Sequence, residues 1–513
     1  MNDNRTTFTR LYRRAYSELE QGSKEEARRI AQSALDLQPD SAETHNLLGT
    51  IHLKLEGTEG KAEKYFEHAL KFDPLNPHVY NNLGYIAWQR GDLDRAGKLF
   101  TRAIELAPRI SRSYSNLARV LIDQKRIEAA IDVYRTGLEK KPRSKTTRLK
   151  LASLLESSGL YHDALTLYDE IIQIRPDHPV ARYNRALLLL KQGHYKQGWR
   201  DFEWRFATGQ IKYPGVISQQ IPEWSEEPLA GKTLLINQEQ GFGDAIQMIR
   251  YVPLLVKRGA KVLVRCRPRL DTLIKSVSGV SSTQNLFEPL DPTAMGIDYQ
   301  MPMMSLPRLF DTRTDSIPLN VPYLHVDPVR QDYWKQRVGT GTFNVGLTWS
   351  GKSTQANNAQ RSCALSDFAP LASIPNVRFF CLQKADQQEQ AKMPPAGMEF
   401  IDFMPEMEDF SETAALMKCL DLVITVDTSI AHLAGALGHP VWTILWVRHC
   451  WRYSMDRSIS PWYPTMRLFR QETEGDWSRV MQSVVVSLRE TVGSSRTPDT
   501  KNKLPLRHKL RIS

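Results

Sequence analysis

A chain of 513 residues is too long for one hydrophobic core, so about three domains are expected. Its 41% apolar and 24% charged residues fit an ordered globular protein, and no run of eighteen apolar residues marks a transmembrane helix. The net charge is +11, but the stretch after Glu490 carries six Lys/Arg and one Asp, so the folded part is only mildly basic and no nucleic-acid-binding domain is expected.

The N-terminal MNDNRTTFTRLYRRAYSELEQ is polar and lacks the apolar segment of a secretory signal, so a cytoplasmic location is expected. From there the chain repeats. Prolines stand at Pro39, Pro74, Pro108, Pro142 and Pro176, spaced by 35, 34, 34 and 34 residues. Ten residues after each comes a small residue: Gly49, Gly84, Ala118, Ala152 and Ala186. A further small residue follows twenty-two after the last four prolines: Ala96, Ala130, Ala164 and Gly198. Each unit reads as two short amphipathic helices that cross closely at the small residues, with proline ending the second. This 34-residue period resembles the tetratricopeptide repeat, about six units from Phe8 to Ala207. Such arrays stack into a superhelix whose concave face binds a peptide or protein partner. Asn46, Asn81, Asn82 and Asn116 are candidate groove residues, with capping or packing as the other reading. The last unit departs from the pattern: YKQGWRDFEWRF, with Trp199 and Trp204, reads as a cap that docks the solenoid onto the next domain.

A Pro-containing linker (211–230) precedes a change of period. Thr233–Asn237 reads as a strand, Gly241–Asp244 (GFGD) as a turn, Ala245–Arg258 as a helix and Lys261–Cys266 as a second strand. Less regular sequence runs to about Asp327. A second α/β set starts near Asn344, with strands VGLTWS and VRFFCLQ and helices near Leu365–Leu371 and Ser411–Cys419. It ends in LDLVITVDTSIAHLAGALGHPVWTILW: a buried strand, the polar break Asp427-Thr428-Ser429, a small-residue helix and another strand. A helix starting at the carboxyl end of a strand offers free N–H groups and partial positive charge to an anion. Two α/β lobes with a ligand between them are expected, 231–335 and 340–490. GFGDAI has Ile246 where a dinucleotide fingerprint places its third glycine, and Arg265 stands where a ribose-binding acid belongs, so nicotinamide or flavin binding is poorly supported. No P-loop, HExxH or GxSxG is present. The five cysteines are far apart without a CxxC, which argues against a disulfide framework and a zinc site. The basic segment 491–513 reads as a disordered, solvated tail, with weak contact to an anionic membrane surface or to nucleic acid as the other reading.

NQEQGFGDAIQMIRYVPLL, GLTWSG with Arg361-Ser362, CLQKAD, FSETAALMKCLDLVITVDTSIAHLAGALGHPVW and SPWYPTMRLFRQ together resemble tetratricopeptide proteins carrying a family 9-type glycosyltransferase domain, related to bacterial heptosyltransferases. The resemblance runs from Phe8 to about Leu488. It implies an α solenoid (8–210) followed by an α/β GT-B fold of two Rossmann-like lobes. The N-terminal lobe would meet the acceptor and the C-terminal lobe a nucleotide-sugar donor. It implies a hexosyl- or heptosyltransferase that is inverting and needs neither metal nor cofactor. The acceptor, a protein or a glycan, would be recruited with help of the repeats.

Inverting transfer needs a carboxylate to take the acceptor's proton, and Asp244 matches the family's catalytic Asp, with helix N-capping as its structural alternative. Glu239 is the second candidate on the acceptor-side loop with Gly241 and Gly243. The leaving diphosphate needs N–H groups and cations, roles for Thr428, Ser429, Lys384 and Arg361. Asp427 would accept a sugar hydroxyl and His432 would bond near the phosphates. Two positions depart from the family: Cys450-Trp451-Arg452-Tyr453 replaces Asp-Trp-Arg-Trp, and Asn358 stands where relatives often have Asp. The Trp451, Arg452, Trp462 and Tyr463 cluster reads either as a platform stacking a base or sugar or as a hydrophobic cap. The departures keep a second reading open: an inactive scaffold whose repeats bind a partner and whose GT-B-like domain only binds ligand.

Overall fold

The structure, a computed structural model, describes residues 2–55, 57–211, 221–354, 357–384 and 386–494. Residues 212–220 of the expected linker, and 495–513 of the expected basic tail with its membrane-surface contact, lie outside these residues, while 491–494 end the helix Trp477–Ser494. Among the described residues, twelve helices run from Asn2 to Phe202, and no helix is long and apolar enough to cross a membrane. The chain divides into two compact units, 1–181 and 182–513.

The first unit is an array of helix pairs. The second helices end at Leu37, Phe72, Leu106, Lys140 and Ile174, each two residues before one of the periodic prolines. Polar side chains open the first helices: Ser41, Asn76 and Ser144 accept backbone N–H groups of Thr44, Val79 and Thr147. Packing explains the small-residue period. A Cβ on Gly49 would lie 2.6 Å from the Phe66 ring, and one on Gly84 2.7 Å from Phe100. The next units keep the spacing with Ala118 and Tyr134, then Ala152 and Tyr168, all buried. The pairs Ala42–Phe72 and Pro77–Leu106 therefore each seat one aromatic ring of the second helix against a bare glycine backbone of the first. Among the groove candidates, Asn81 is a packing residue: it is buried, and its amide donates to Ser113 Oγ (2.7 Å) and Pro77 O (3.1 Å). Asn82 donates to Asn46 Oδ1 (3.2 Å) and Asn116 to Asn81 Oδ1 (3.5 Å), which ties successive first helices together.

The second unit begins inside the helix Pro179–Lys191. The helix Tyr195–Phe202 shares one continuous core with the α/β domain: Tyr195, Trp199 and Phe202 are buried in the same cluster as Leu234, Trp451 and Trp462. Two parallel sheets follow. The first comprises β1 (Thr233–Asn237), β2 (Lys261–Cys266), β3 (Val280–Asn285) and β4 (Tyr299–Pro302), in the order β3-β2-β1-β4. The second comprises β5 (Phe343–Thr348), β6 (Val377–Cys381), β7 (Phe400–Ile401), β8 (Leu422–Val426), β9 (Val441–Leu445) and β10 (Met466–Arg470), in the order β10-β9-β8-β5-β6-β7. Every pairing is parallel and β1, β8 and β9 are buried throughout, as strands covered on both faces must be. Each lobe is Rossmann-like, with an order reversal at β1/β4 and at β8/β5, where doubly wound sheets open a crevice at the strands' carboxyl ends.

Two expected helices are shorter or tighter. The helix after β1 runs Phe242–Met248, passes through a 3₁₀ turn (Ile249–Tyr251) and resumes as Val252–Lys257. Pro253 has no N–H for the carbonyl at 249 and its ring crowds that position. The expected Leu365–Leu371 helix is 3₁₀ over Leu365–Ser373, with Pro370 inside it.

The repeat packing is testable in urea. Phe100→Ala is expected to cost about 3–5 kcal/mol, the range for emptying a buried aromatic site. Gly84→Val should destabilise the repeat transition too, by overpacking the same ring, whereas Gly91→Ala is a control that meets nothing within 4 Å and is limited to the strain of its positive φ.

Candidate functional site

A cleft of about 650 Å³ opens where the carboxyl ends of the two sheets face each other. Its lining comes from the ends of β1 (Gln240–Asp244), β2 (Arg267, Arg269), β5 (Thr348–Lys352), β6 (Leu382–Lys384), β8 (Asp427–Ile430, His432) and the turn after β9 (Cys450, Arg452). Asp244, Gly241, Gly243, Arg361, Lys384, Asp427, Thr428, Ser429 and His432 are thus brought to one cavity from positions up to 191 residues apart.

The two lobes approach most closely where the helix from Phe242 crosses the helix Ser429–Ala436. A Cβ on Gly243 would lie 2.6 Å from His432 Cδ2, so glycine is required there by the partner helix. Asp244 Oδ2 accepts the Gly241 N–H at 2.7 Å, and Oδ1 accepts from Arg452 Nη2. Arg452 also donates from Nε to Gln247 Oε1 (2.8 Å) and lies 4.3 Å over the Trp451 ring. Asp244 is therefore both the helix cap and a cleft carboxylate, and a guanidinium from the opposite lobe holds it.

On the C-terminal wall, Thr428 caps its helix: Oγ1 accepts from Ile430 N–H (3.2 Å) and meets Thr425 Oγ1 (3.1 Å). Ser429 lines the cleft one residue on, at the helix start, where N–H groups and the helix dipole favour an anion. Asp427 Oδ1 accepts from the Tyr453 hydroxyl at 2.6 Å. His432 is buried with Nδ1 3.1 Å from Tyr463 OH; burial, then nearby Arg452, depress its imidazole to about 4, so it is neutral and hydrogen-bonding rather than cationic. Lys384 donates to Met407 O, and its ammonium is pulled below its ordinary range by burial and by Arg269 across the cleft. Arg361 ends the short helix Asn358–Arg361, with its guanidinium packed over Gly351. Asn358, at the position where relatives carry an acid, is buried and accepts from Ser362 Oγ (3.0 Å).

Two readings change. Glu239 does not line the cleft. Its carboxylate is fully buried and held by Arg205 at 2.9 and 3.2 Å, and burial raises it to about 7 against the opposing pull of that arginine. Trp451, Trp462 and Tyr463 are buried, so they form the hydrophobic cap and offer no stacking face; from that segment only Cys450 and Arg452 reach the cavity. Burial, then Asp427, push the Cys450 thiol up to about 12, so it is protonated at neutral pH and no thiolate nucleophile is present there. The sequence reading missed Arg267 and Arg269 on the β2 wall and the Phe242–Phe410 contact (centroids 4.9 Å) that joins the lobes. The Arg-Pro-Arg run directly after a buried strand was the available signal. Among the described residues no three His, Cys, Asp or Glu side chains converge as a metal site would.

Fold and cleft define a solenoid of helical repeats joined to a two-lobed, Rossmann-like α/β domain with a cleft between its sheets. A tetratricopeptide repeat family model matches residues 12–77, 60–109, 81–145, 115–179 and 149–198. The model of glycosyltransferase family 9 (heptosyltransferase) matches residues 372–476, which include Lys384, Asp427–Ser429, His432 and Cys450–Tyr453. The chain thus combines tetratricopeptide repeats with a glycosyltransferase family 9 domain. Protein FlbA of Caulobacter vibrioides is 27% identical over 330 residues, 59% of this chain and 54% of FlbA, so the chain spans about half the length of that curated relative. Among solved structures, PilF of Pseudomonas aeruginosa is 22% identical (40% of this chain, 90% of PilF, TM-score 0.33). YrrB, described as a tetratricopeptide protein with an unusual peptide-binding site, is 15% identical (34% of this chain, 91% of YrrB, TM-score 0.28).

The neutral His432 gives a pH signature. Its imidazole falls from 6.5 to about 4 on folding, so below pH 6.5 the unfolded chain binds a proton that the folded chain refuses. Stability is full above pH 6.5 and is lost as pH falls towards 4, by roughly 3 kcal/mol for this group. Urea titrations between pH 7 and 4 should show His432→Asn flattening that slope by one proton, whatever its effect at pH 7.

Proposed function

We propose that the α/β unit is a GT-B-type glycosyltransferase that moves a sugar from a nucleotide-sugar donor to a protein or glycan acceptor. The observation that carries this is one cleft holding Asp244 on the N-terminal wall and the Thr428–Ser429 helix start on the other. In this reading Asp244 takes the proton from the acceptor hydroxyl as it attacks the anomeric carbon from the face opposite the leaving group, which inverts the configuration. The nucleoside diphosphate leaves against the N–H groups at Ser429, with Lys384 and Arg361 balancing its charge. Preorganised donors and cations serve the role that a divalent ion fills elsewhere, so neither metal nor cofactor enters. Asp427, fixed by Tyr453, receives a sugar hydroxyl, and His432, neutral, offers its second ring nitrogen near the phosphates. The sugar is a hexose or heptose. The repeats recruit a protein or peptide partner, and the reaction belongs to the cytoplasm.

A second reading, a non-catalytic scaffold that binds ligand without turnover, is favoured by one observation: both Asp244 oxygens are already engaged, by Gly241 N–H and Arg452. In the transferase reading the incoming acceptor hydroxyl must compete with Arg452 for Oδ1.

Incubation of the purified chain with a panel of nucleotide sugars, with mass spectrometry of released nucleotide and of co-purified proteins, separates the two. Asp244→Asn is expected to lower turnover by about 10²–10⁴-fold with donor KM nearly unchanged, as loss of a general base does. Binding of nucleoside diphosphates without turnover of any donor favours the scaffold.

A further inference from the structure

The helix Tyr195–Phe202 and the 3₁₀ turn Glu203–Thr208 close the repeat-like sequence, yet their side chains pack on residues behind both walls of the cleft. On the C-terminal wall, Trp199 meets Trp451 edge-to-face (centroids 5.1 Å, 88°) and Trp462 at 6.5 Å. Trp451 carries the Arg452 guanidinium, which ends on Asp244 and Gln247. On the N-terminal wall, Arg205 is fully buried. It grips Glu239 with Nε and Nη2, donates to Ser305 Oγ (2.8 Å) and is paired with Glu203 at 2.9 Å. Glu239 stands two residues before Gly241.

A buried ion pair is a poor source of stability, because desolvating both charges offsets most of their attraction. An apolar contact would cover this loop as well. What the Arg205–Glu239 pair adds is direction: a two-point clamp fixes the chain entering Gly241–Asp244 in one orientation. Trp199 and Arg205 are six residues apart on one rigid helix and turn, so a single short element sets both where the loop bearing Asp244 sits and where Arg452 meets it.

We infer that Trp199 and Arg205 are positioning residues for the cleft, Trp199 acting through Trp451 on Arg452 and Arg205 acting through Glu239 on the Gly241–Asp244 helix start. The sixth repeat unit is then a working part of the transferase domain as well as the end of the solenoid. The inference rests on Asp244 acting as the base.

The test uses the full chain with Trp199→Ala, Trp199→Phe and the paired Arg205→Met/Glu239→Leu, which removes both charges and leaves none buried alone. Two readouts are taken: amide hydrogen exchange by segment, and donor turnover with the best donor of the panel. Trp199→Ala should speed exchange at Cys450–Tyr453 about tenfold or more, and the paired variant at Gln240–Asp244, with β5 and β8 unchanged. In both, kcat should fall about tenfold or more with donor KM within about twofold, because the base is misplaced while the diphosphate site is intact. Trp199→Phe, which keeps an aromatic edge, should restore both readouts. Unchanged exchange at the two loops overturns the inference. So does a uniform rise across the core, which marks a merely structural role, and so does a rise in KM with kcat intact. If the unsubstituted chain turns over no donor, the reaction assigned to the cleft fails, and the exchange arm still decides whether Trp199 and Arg205 fix these loops.

Discussion

The Arg452–Asp244 bridge is the contact on which the cleft's geometry turns. It joins side chains 208 residues apart, one from each lobe, and both are largely shielded from solvent, at 13% and 19% exposure. Shielding matters because an exposed pair of this kind contributes little, whereas a desolvated, hydrogen-bonded one costs several kcal/mol to break. Neither partner is held only by the other. Gly241 N–H fixes the second oxygen of Asp244, and Gln247 and the Trp451 ring fix the guanidinium. The bridge therefore sets the lobes at one separation, with the glycine loop facing the Ser429 helix.

Two buried side chains near the bridge, Arg250 and Gln383, find specific partners. Arg250, from the 3₁₀ turn in the helix broken by Pro253, donates to Gln247 O, Trp462 O and Tyr323 OH while its guanidinium packs on Tyr463. It links the first lobe to the loop before β10 with neutral acceptors alone. Gln383 does the same inside the second lobe: Oε1 accepts from Trp349 and Ser350 N–H, and Nε2 donates to Asp386 O, so the ends of β5 and β6 hold a common shape. Each such satisfied network holds its part of the cleft wall in one geometry.

How much of this was legible in the sequence follows from the range of each interaction. The repeats were legible because their contacts are local: Gly84 and Phe100 are sixteen residues apart, and the period repeats them. The α/β strands were legible as apolar runs bounded by glycine and polar breaks. Ser429 and Asp244 were legible as helix starts after such strands, which carries chemistry without any knowledge of the partner lobe. Glu239 was misread for the opposite reason. Its neighbours in sequence are the polar residues of a cleft loop, and nothing local announces that Arg205, thirty-four residues earlier, takes it into the core. Trp451 and Trp462 were ambiguous because an aromatic residue beside a cleft serves a ligand or a core equally well; Trp199 decides it, and the sequence marked Trp199 as part of a docking cap without naming what it meets.

The residue at 450, where the family pattern has an acid, sits beside the same bridge. With Cys450 in place of the expected acid, the turn Trp451–Tyr453 presents its guanidinium to Asp244 and its phenol to Asp427. One tripeptide thus contacts a carboxylate from each wall, and the thiol beside them stays neutral. An acid at 450 would place a third negative charge beside Asp244 and Asp427, and it would compete with Asp244 for the single guanidinium of Arg452. A neutral residue leaves that guanidinium committed to Asp244, so what changes at 450 is how tightly the carboxylate is held before an acceptor arrives. The strength of that one bridge therefore sets how freely the Asp244 carboxylate meets a group entering the cleft.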